Sequence, residues 1–116
     1  MNLYTCAIDL KNDAKALAFA RAIENWMELL QDRGAILGWR LLRRKLNLAS
    51  APGRDFLLEI EVRDLAQLDA AFRTLGAQDE TTDTLYRAVN ALVAEADFAL
   101  YRPFPDPERV ERMALI

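Results

Sequence analysis

Apolar and polar residues alternate from Leu3 to Leu10, which predicts a strand with Tyr4, Cys6, Ile8 and Leu10 on one face and Leu3, Thr5, Ala7 and Asp9 on the other. Asn12 and Asp13 then offer side-chain oxygens to the orphan amides of a helix start. From Ala14 to Arg33 the apolar spacing changes to three and four. Phe19, Ile23, Trp26 and Leu30 stack on one stripe, widened by Leu17, Ala20 and Met27, while Lys15, Arg21, Glu24, Glu28 and Asp32 keep the wetter side. Gly34 follows, where a left-handed cap needs no Cβ. Ile36–Leu46 reads as a second strand, and Pro52-Gly53, within Ala49–Arg54, marks a loop. Asp55–Arg63 alternates again, Phe56, Leu58, Ile60 and Val62 against Leu57, Glu59, Glu61 and Arg63, so the two strands form an antiparallel hairpin. Asp64 caps a helix over Leu65–Leu75, striped by Leu65, Leu68, Phe72 and Leu75 and ended by Gly76. After a polar joint, Gln78–Asp83, a further helix runs to about Glu95 with Leu85, Val89, Leu92 and Val93 inward. Asp97–Arg102 is the last strand. Pro103, Pro105 and Pro107 force an extended exit, Asp106-Pro107-Glu108 is a helix start, and a short amphipathic tail over about Pro107–Leu115 closes the chain, docked on the body or across a dimer.

This order is β-α-β-β-α-β, an α+β ferredoxin-like unit. Residues 1–102 make the protomer, and the exit and tail, 103–116, belong to the same domain. Right-handed crossovers place both helical connections on one side of an antiparallel sheet and leave the other face bare. Turning Leu37, Trp39 and Leu41 toward the helices puts Arg40, Leu42 and Arg44 on that open face; the opposite register would bury the two arginines beside Leu58 and Val62, which is costly. The open face then mixes Leu3, Ala7, Leu42, Leu57 and Tyr101 with Arg40, Arg44, Glu59 and Glu61. Such a surface is too apolar to stay wet and too charged for a dry core. Burial against a twofold copy resolves this and gives a homodimeric α/β barrel.

Composition narrows the chemistry. At 116 residues, 53% of them hydrophobic and 28% charged, the chain is one globular domain. A net charge of −3 argues against nucleic acid as a partner. The N-terminus lacks signal-peptide character, and the longest apolar runs are far below the ~20 residues that span a bilayer. No membrane association is therefore expected; a soluble cytoplasmic protein is, with the single cysteine, Cys6, kept as a thiol. One cysteine excludes an intrachain disulfide, and the absence of histidine removes His general bases, Ser-His and Cys-His pairs and almost every zinc site. No cofactor and no metal are expected.

Five residues are candidates for a pocket or dimer face: Arg40, Arg44, Glu59, Glu61 and Tyr101. The run Arg40-Leu-Leu-Arg43-Arg44-Lys45 suits an anionic ligand, or simply pairs across strands with Glu59 and Glu61. Those two carboxylates lie ~6.7 Å apart along one strand face. Inside a barrel they suit acid/base work or a dimer-face ion-pair network. Tyr101 suits a hydrogen bond to a substrate carbonyl or to a buried charge. Trp26 belongs on the helical stripe, Trp39 beside Gly38 is core or pocket wall, and Cys6 is core packing without a basic neighbour. Asp79–Asp83 lacks the spacing and glycine of an EF-hand and is better read as a helix cap. Nucleotide-binding glycine patterns and the Gly-x-Ser-x-Gly elbow are absent.

The stretches Trp39-Arg-Leu-Leu-Arg-Arg-Lys-Leu-Asn-Leu48, Asp55-Phe-Leu-Leu-Glu-Ile-Glu-Val62 and Tyr101-Arg-Pro-Phe-Pro-Asp-Pro-Glu-Arg109 resemble a small bacterial family of unknown function within the dimeric α/β-barrel superfamily. That superfamily holds cofactor-free monooxygenases, haem-degrading enzymes, lactone isomerases and stress-response proteins, so the resemblance implies a range of functions. Its haem-binding branches use an axial histidine, which this chain lacks. Its oxygenases set Asn, Trp, Tyr, Arg or His around an aromatic substrate; Trp39, Arg40, Asn47 and Tyr101 are on offer here, without a matching motif. Three readings remain open: a homodimer binding a small molecule between its sheets; a cofactor-independent monooxygenase or isomerase acting on a small aromatic substrate; and a protein-interaction module using the tail or the acidic loop.

Overall fold

Nine residues, Asn2–Leu10, form β1. The Asn12 side chain accepts a hydrogen bond from the Ala14 amide at 3.0 Å and starts a single 3-10 turn, Asp13–Lys15, which runs into α1, Ala16–Asp32. Gly34 ends α1 in the left-handed conformation, φ 72°. Next come β2 (Gly38–Arg43), β3 (Phe56–Val62), α2 (Leu65–Gly76), α3 (Glu80–Asn90) and β4 (Val93–Tyr101). The computed structural model describes residues 1–46, 48, 53–76 and 80–105. The expected joint residues Gln78 and Asp79, Asn47 and the tail 106–116 lie outside them.

The strands pair in the order β2-β3-β1-β4, antiparallel throughout, which is the ferredoxin-like arrangement. Period-two alternation fixes which side chains meet the helices. Tyr4, Cys6, Ile8 and Leu10 share that face with Phe56, Leu58, Ile60 and Val62, and α1 lays Phe19, Ile23, Trp26, Met27 and Leu30 over it. Two α2 residues, Leu68 and Ala71, together with Ala35 and Ile36 from the segment before β2, complete the buried core. The start of α2 is tied down by its own cap. Asp64 accepts from the Gln67 amide at 2.8 Å, while the Gln67 side chain accepts from Arg63 N at 2.6 Å and donates to Gly34 O at 3.0 Å. That buried glutamine fastens the α2 entry to the end of α1.

Some elements differ from the pattern-based expectation. Leu17 is 88% exposed, because it sits in the first turn of α1, beyond the edge of the sheet-facing stripe. Ile36 and Leu37 precede β2 rather than join it. Ile36 is buried but Leu37 points out, so Trp39 and Leu41 alone represent that strand on the helix side. The last helix ends at Asn90, five residues early. Ala91 and Leu92 donate backbone hydrogen bonds to Arg87 O and Val89 O, and Leu92 O accepts from Lys11 N. Leu92 and Val93 therefore pack from a tight turn and from β4, which begins at Val93 instead of Asp97. Alternation there is obscured by alanines and by a register shift opposite Asp9 and Leu10. On α2, Leu68 is buried while Leu65 and Phe72 are largely exposed; the Leu75 side chain is outside the described part.

Candidate functional site

The open face is a grid of four rows, set by register. Gly38, Glu61, Leu3 and Tyr101 form the first row, and Arg40, Glu59, Thr5 and Ala99 the second. Leu42, Leu57, Ala7 and Asp97 form the third, and Arg44, Asp55, Asp9 and Glu95 the fourth. The choice of register made on the cost of burying Arg40 and Arg44 is the one observed. Arg40 Nε donates to Glu59 Oε1, although Arg40 is mostly exposed and Glu59 only 8% exposed. Glu59 thus sits in the centre of the sheet with its charge matched by a solvent-exposed guanidinium. The basic run is dispersed by pairing: Arg40 to Glu59, Arg43 over the Phe56 ring at 5.3 Å, and Arg44 to Asp55 at 3.0 Å and Gly53 O at 2.8 Å. Tyr101 and Leu42 remain largely exposed on this face. Glu61 stands beside Gly38, and has no ion-pair partner among the described residues.

Arg54, which the sequence pattern did not single out, is the main charge organiser at one end of this face. From the loop before β3 it reaches Asp9 on β1 at 2.9 Å, Asp97 on β4 at 3.1 Å, and Glu95. The Asp55 amide donates to Asp9 Oδ1 at 2.9 Å. The guanidinium hydrogen bond, then the backbone one, hold the Asp9 carboxyl below its ordinary value. Asp9, Glu95, Asp97 and Arg54 meet only through register, so no local motif announces them.

A cavity of about 300 Å³, open to solvent at one end, lies on the other face, between the sheet and the helices. Its floor is made by β1 and β3 side chains, including Cys6, Ile8, Leu58 and Ile60, and its walls by Ile23, Trp26, Met27 and Leu30 of α1 with Leu68 and Ala71 of α2. Phe72, Tyr86, Asn90 and Phe98 line it and are exposed, which marks the mouth. The rings there are in contact: Tyr4 stacks on Phe98 at 6.0 Å and meets Phe72 edge-on at 5.7 Å, and Trp26 and Tyr86 lie 6.1 Å apart. None of the lining residues carries a charge. Burial pushes the Cys6 thiol up to about 12. The Tyr4 hydroxyl is also raised, first by burial and then by Cys6. Both stay protonated at neutral pH, so the cavity offers neutral hydrogen-bonding groups at the ends of Tyr4, Trp26, Tyr86 and Asn90, and no thiolate or carboxylate.

The five candidates read from the sequence, Arg40, Arg44, Glu59, Glu61 and Tyr101, all share the open face, and none lines this cavity. Of the two tryptophans, Trp26 is in the wall, whereas Trp39 packs half-buried against the core. The missed lining residues are spread over every strand but β2 and over all three helices, and most of them read from sequence as ordinary core. Among the described residues no group of three or more His, Cys, Asp and Glu is placed to hold a metal ion, and no helix is long and apolar enough to cross a membrane.

Comparison with known proteins agrees with the fold. HapK from Hahella chejuensis superposes with a TM-score of 0.66 at 22% identity, over 90% of this chain and 93% of that one. An antibiotic biosynthesis monooxygenase gives 0.63 at 19%, over 90% and 100%. A dimeric ferredoxin-like protein of unknown function from Jannaschia sp. CCS1 gives 0.65 at 9%, over 88% and 98%. At these identities the likeness is one of fold. No curated protein matches the chain. A family profile matches residues 1–116 from end to end, and the chain belongs to that family of unknown function, DUF6614.

Proposed function

We propose that the protein is a homodimer whose protomers each bind a small, neutral, aromatic-type molecule in the cavity between sheet and helices. The cavity carries this reading: about 300 Å³, apolar, uncharged, and opening through a ring of aromatic side chains. An apolar void of about 150 Å³ holds one benzene ring, so this volume suits about two fused rings. A charged ligand would lose its hydration without gaining a counter-ion, which selects against carboxylates and phosphates. Tyr4 and Asn90 would orient a hydroxyl or carbonyl on the ligand, in keeping with sites that combine an apolar lining with a few polar groups.

Assembly through the open face supports the same picture. Leu42, Leu57, Leu3 and Tyr101 alternate there with charges of both signs, a surface that a twofold copy can complement. A structural neighbour is itself described as dimeric. Covering that face would bury the Arg40–Glu59 pair and leave the two ligand cavities on the outer, helical sides. A cytoplasmic setting agrees with the unpaired thiol.

A second reading uses the same cavity for cofactor-independent oxygenation of an electron-rich aromatic substrate. It is favoured by the apolar lining and by the monooxygenase among the structural neighbours. Native mass spectrometry of the purified protein tests the main proposal. The expected result is a dimer carrying one extractable neutral organic molecule per protomer, or taking up 2-naphthol at one per protomer. A monomer, or a dimer that refuses 2-naphthol and retains only an anionic metabolite, would overturn it. Oxygen uptake on addition of a bound phenol separates the second reading from the first.

A further inference from the structure

The cavity lining does not stop at the mouth. Along β4 the helix-side positions are Ala96, Phe98 and Leu100, opposite Ile8, Cys6 and Tyr4 of β1. Ala96 and Phe98 line the cavity; Leu100, the next residue outward on the same face and ~7 Å beyond Phe98, does not. Leu100 is 39% exposed, Phe98 62%, and Phe72 beside them on α2 46%. Tyr4, in register with Leu100 and packed against both phenylalanines, joins them into one uncharged band. Contiguous exposed apolar patches on soluble proteins mark binding surfaces. This one shares Tyr4, Phe72 and Phe98 with the cavity lining, so cavity and band are a single surface. It faces away from the open sheet face, and a dimer formed through the open face leaves it uncovered.

Given ligand binding in the cavity, on which this rests, we propose that the ligand is an aryl alkyl ketone type of molecule: an aromatic head in the cavity, a neutral acceptor at the mouth, and an unbranched apolar chain lying outside on Phe98 and Leu100. The order of chemistry along the surface carries this. The floor, with Cys6, Ile8, Leu58 and Ile60, suits a ring and gives a charged or strongly polar group no partner. Polar side chains come next: Asn90 is exposed at the mouth, and the Tyr4 hydroxyl is held in its protonated form by burial. Both can donate to a carbonyl oxygen. Beyond them the surface turns apolar again at Phe98 and Leu100. A void of about 300 Å³ is filled by about two fused rings, so no room is left inside for a chain. A chain attached at the mouth therefore has to run outward, and the band is the apolar surface continuous with that exit.

The test compares 2-acetylnaphthalene with 2-hexanoylnaphthalene, which share head and carbonyl and differ by four methylenes, by calorimetry on the full-length chain. A fully buried methylene tightens binding about fourfold, and one half-buried on a surface about twofold, so the longer ketone is expected to bind about 16-fold more tightly. Nuclear Overhauser contacts from its terminal methyl to the Leu100 methyls are expected in the unmodified chain. Leu100→Asp should cut the advantage of the longer ketone to less than threefold. Equal affinities, an advantage that Leu100→Asp leaves intact, or a chain methyl without contacts to Leu100 would each overturn the proposal while leaving the cavity reading in place. Leu100 contacts to a second copy in a mixture of labelled and unlabelled protein would also overturn it, by assigning the band to self-association. Failure of both ketones to bind would overturn the cavity reading and the chain subsite together. The contact measurement needs no substitution, so it decides the matter even if the variant folds poorly.

Discussion

Replacing Ala71 by leucine separates a real binding cavity from a misread core, because the two predict opposite signs. Ala71 lines the cavity from α2 and is buried. Leucine adds three carbon atoms, and at ~0.8 kcal/mol per buried CH₂ their transfer is worth up to about 2.4 kcal/mol. Ordering the longer side chain costs ~0.5–1 kcal/mol, and the lower helix propensity a few tenths of a kcal/mol more (~0.2). Filling a void of about 300 Å³ requires nothing to move, so the net effect is a gain of roughly 1 kcal/mol, equivalent to about 4 °C in Tm. The same side chain removes the space a second aromatic ring needs. Ala71→Leu is therefore expected to melt higher and to bind 2-naphthol at least tenfold more weakly, measured by calorimetry on one preparation. If the space were closed in solution, leucine would overpack it and lower stability by ~1–3 kcal/mol. A lower Tm, or full retention of binding, would refute the reasoning.

Other expectations follow from single features. Gly34→Ala places a Cβ on a residue at φ 72°, with no steric neighbour to blame, and is expected to cost ~1–2 kcal/mol in urea unfolding; Gly34→Asn should cost less. Cys6, with its thiol pushed up to about 12 by burial, should resist iodoacetamide at pH 8 in the native protein and react on unfolding. Asp9 has a depressed folded-state value, so its stabilisation is present above the ordinary carboxylate range and is lost as pH falls through the folded value. Arg54→Ala removes the largest cause of that depression, and its stability should fall less steeply on acidification than the wild type's. Leu42→Glu, exposed on the edge strand of the open face, should convert the proposed dimer to monomer by size-exclusion chromatography while leaving the circular dichroism spectrum unchanged.

The fold was legible wherever one face of an element is buried. Tyr4, Cys6, Ile8 and Leu10, or Phe56 through Val62, state their register by alternation, and the cost of burying Arg40 and Arg44 settles β2. It was illegible where composition and tertiary pairing disagree. Val93 to Asp97 is alanine- and acid-rich, a helical composition, yet it pairs with β1 because the turn at Ala91 and Leu92 brings it alongside. The open-face residues were identifiable because charge on a strand is conspicuous. The cavity was not, since it is built from residues such as Ile23, Met27 and Leu68 that are what any core would use; whether they close completely depends on packing, not on pattern. Arg54 was missed for the related reason that its three carboxylates come from two distant strands.

The most direct test of the binding cavity is a titration of the methyl-labelled protein with 2-naphthol, followed by NMR. Saturable shifts of the methyl groups of Ile23, Met27 and Leu68, with Leu3, Leu42 and Leu57 unmoved, are the predicted result. Saturable shifts confined to the open-face leucines, or no saturable shift at all, would contradict it.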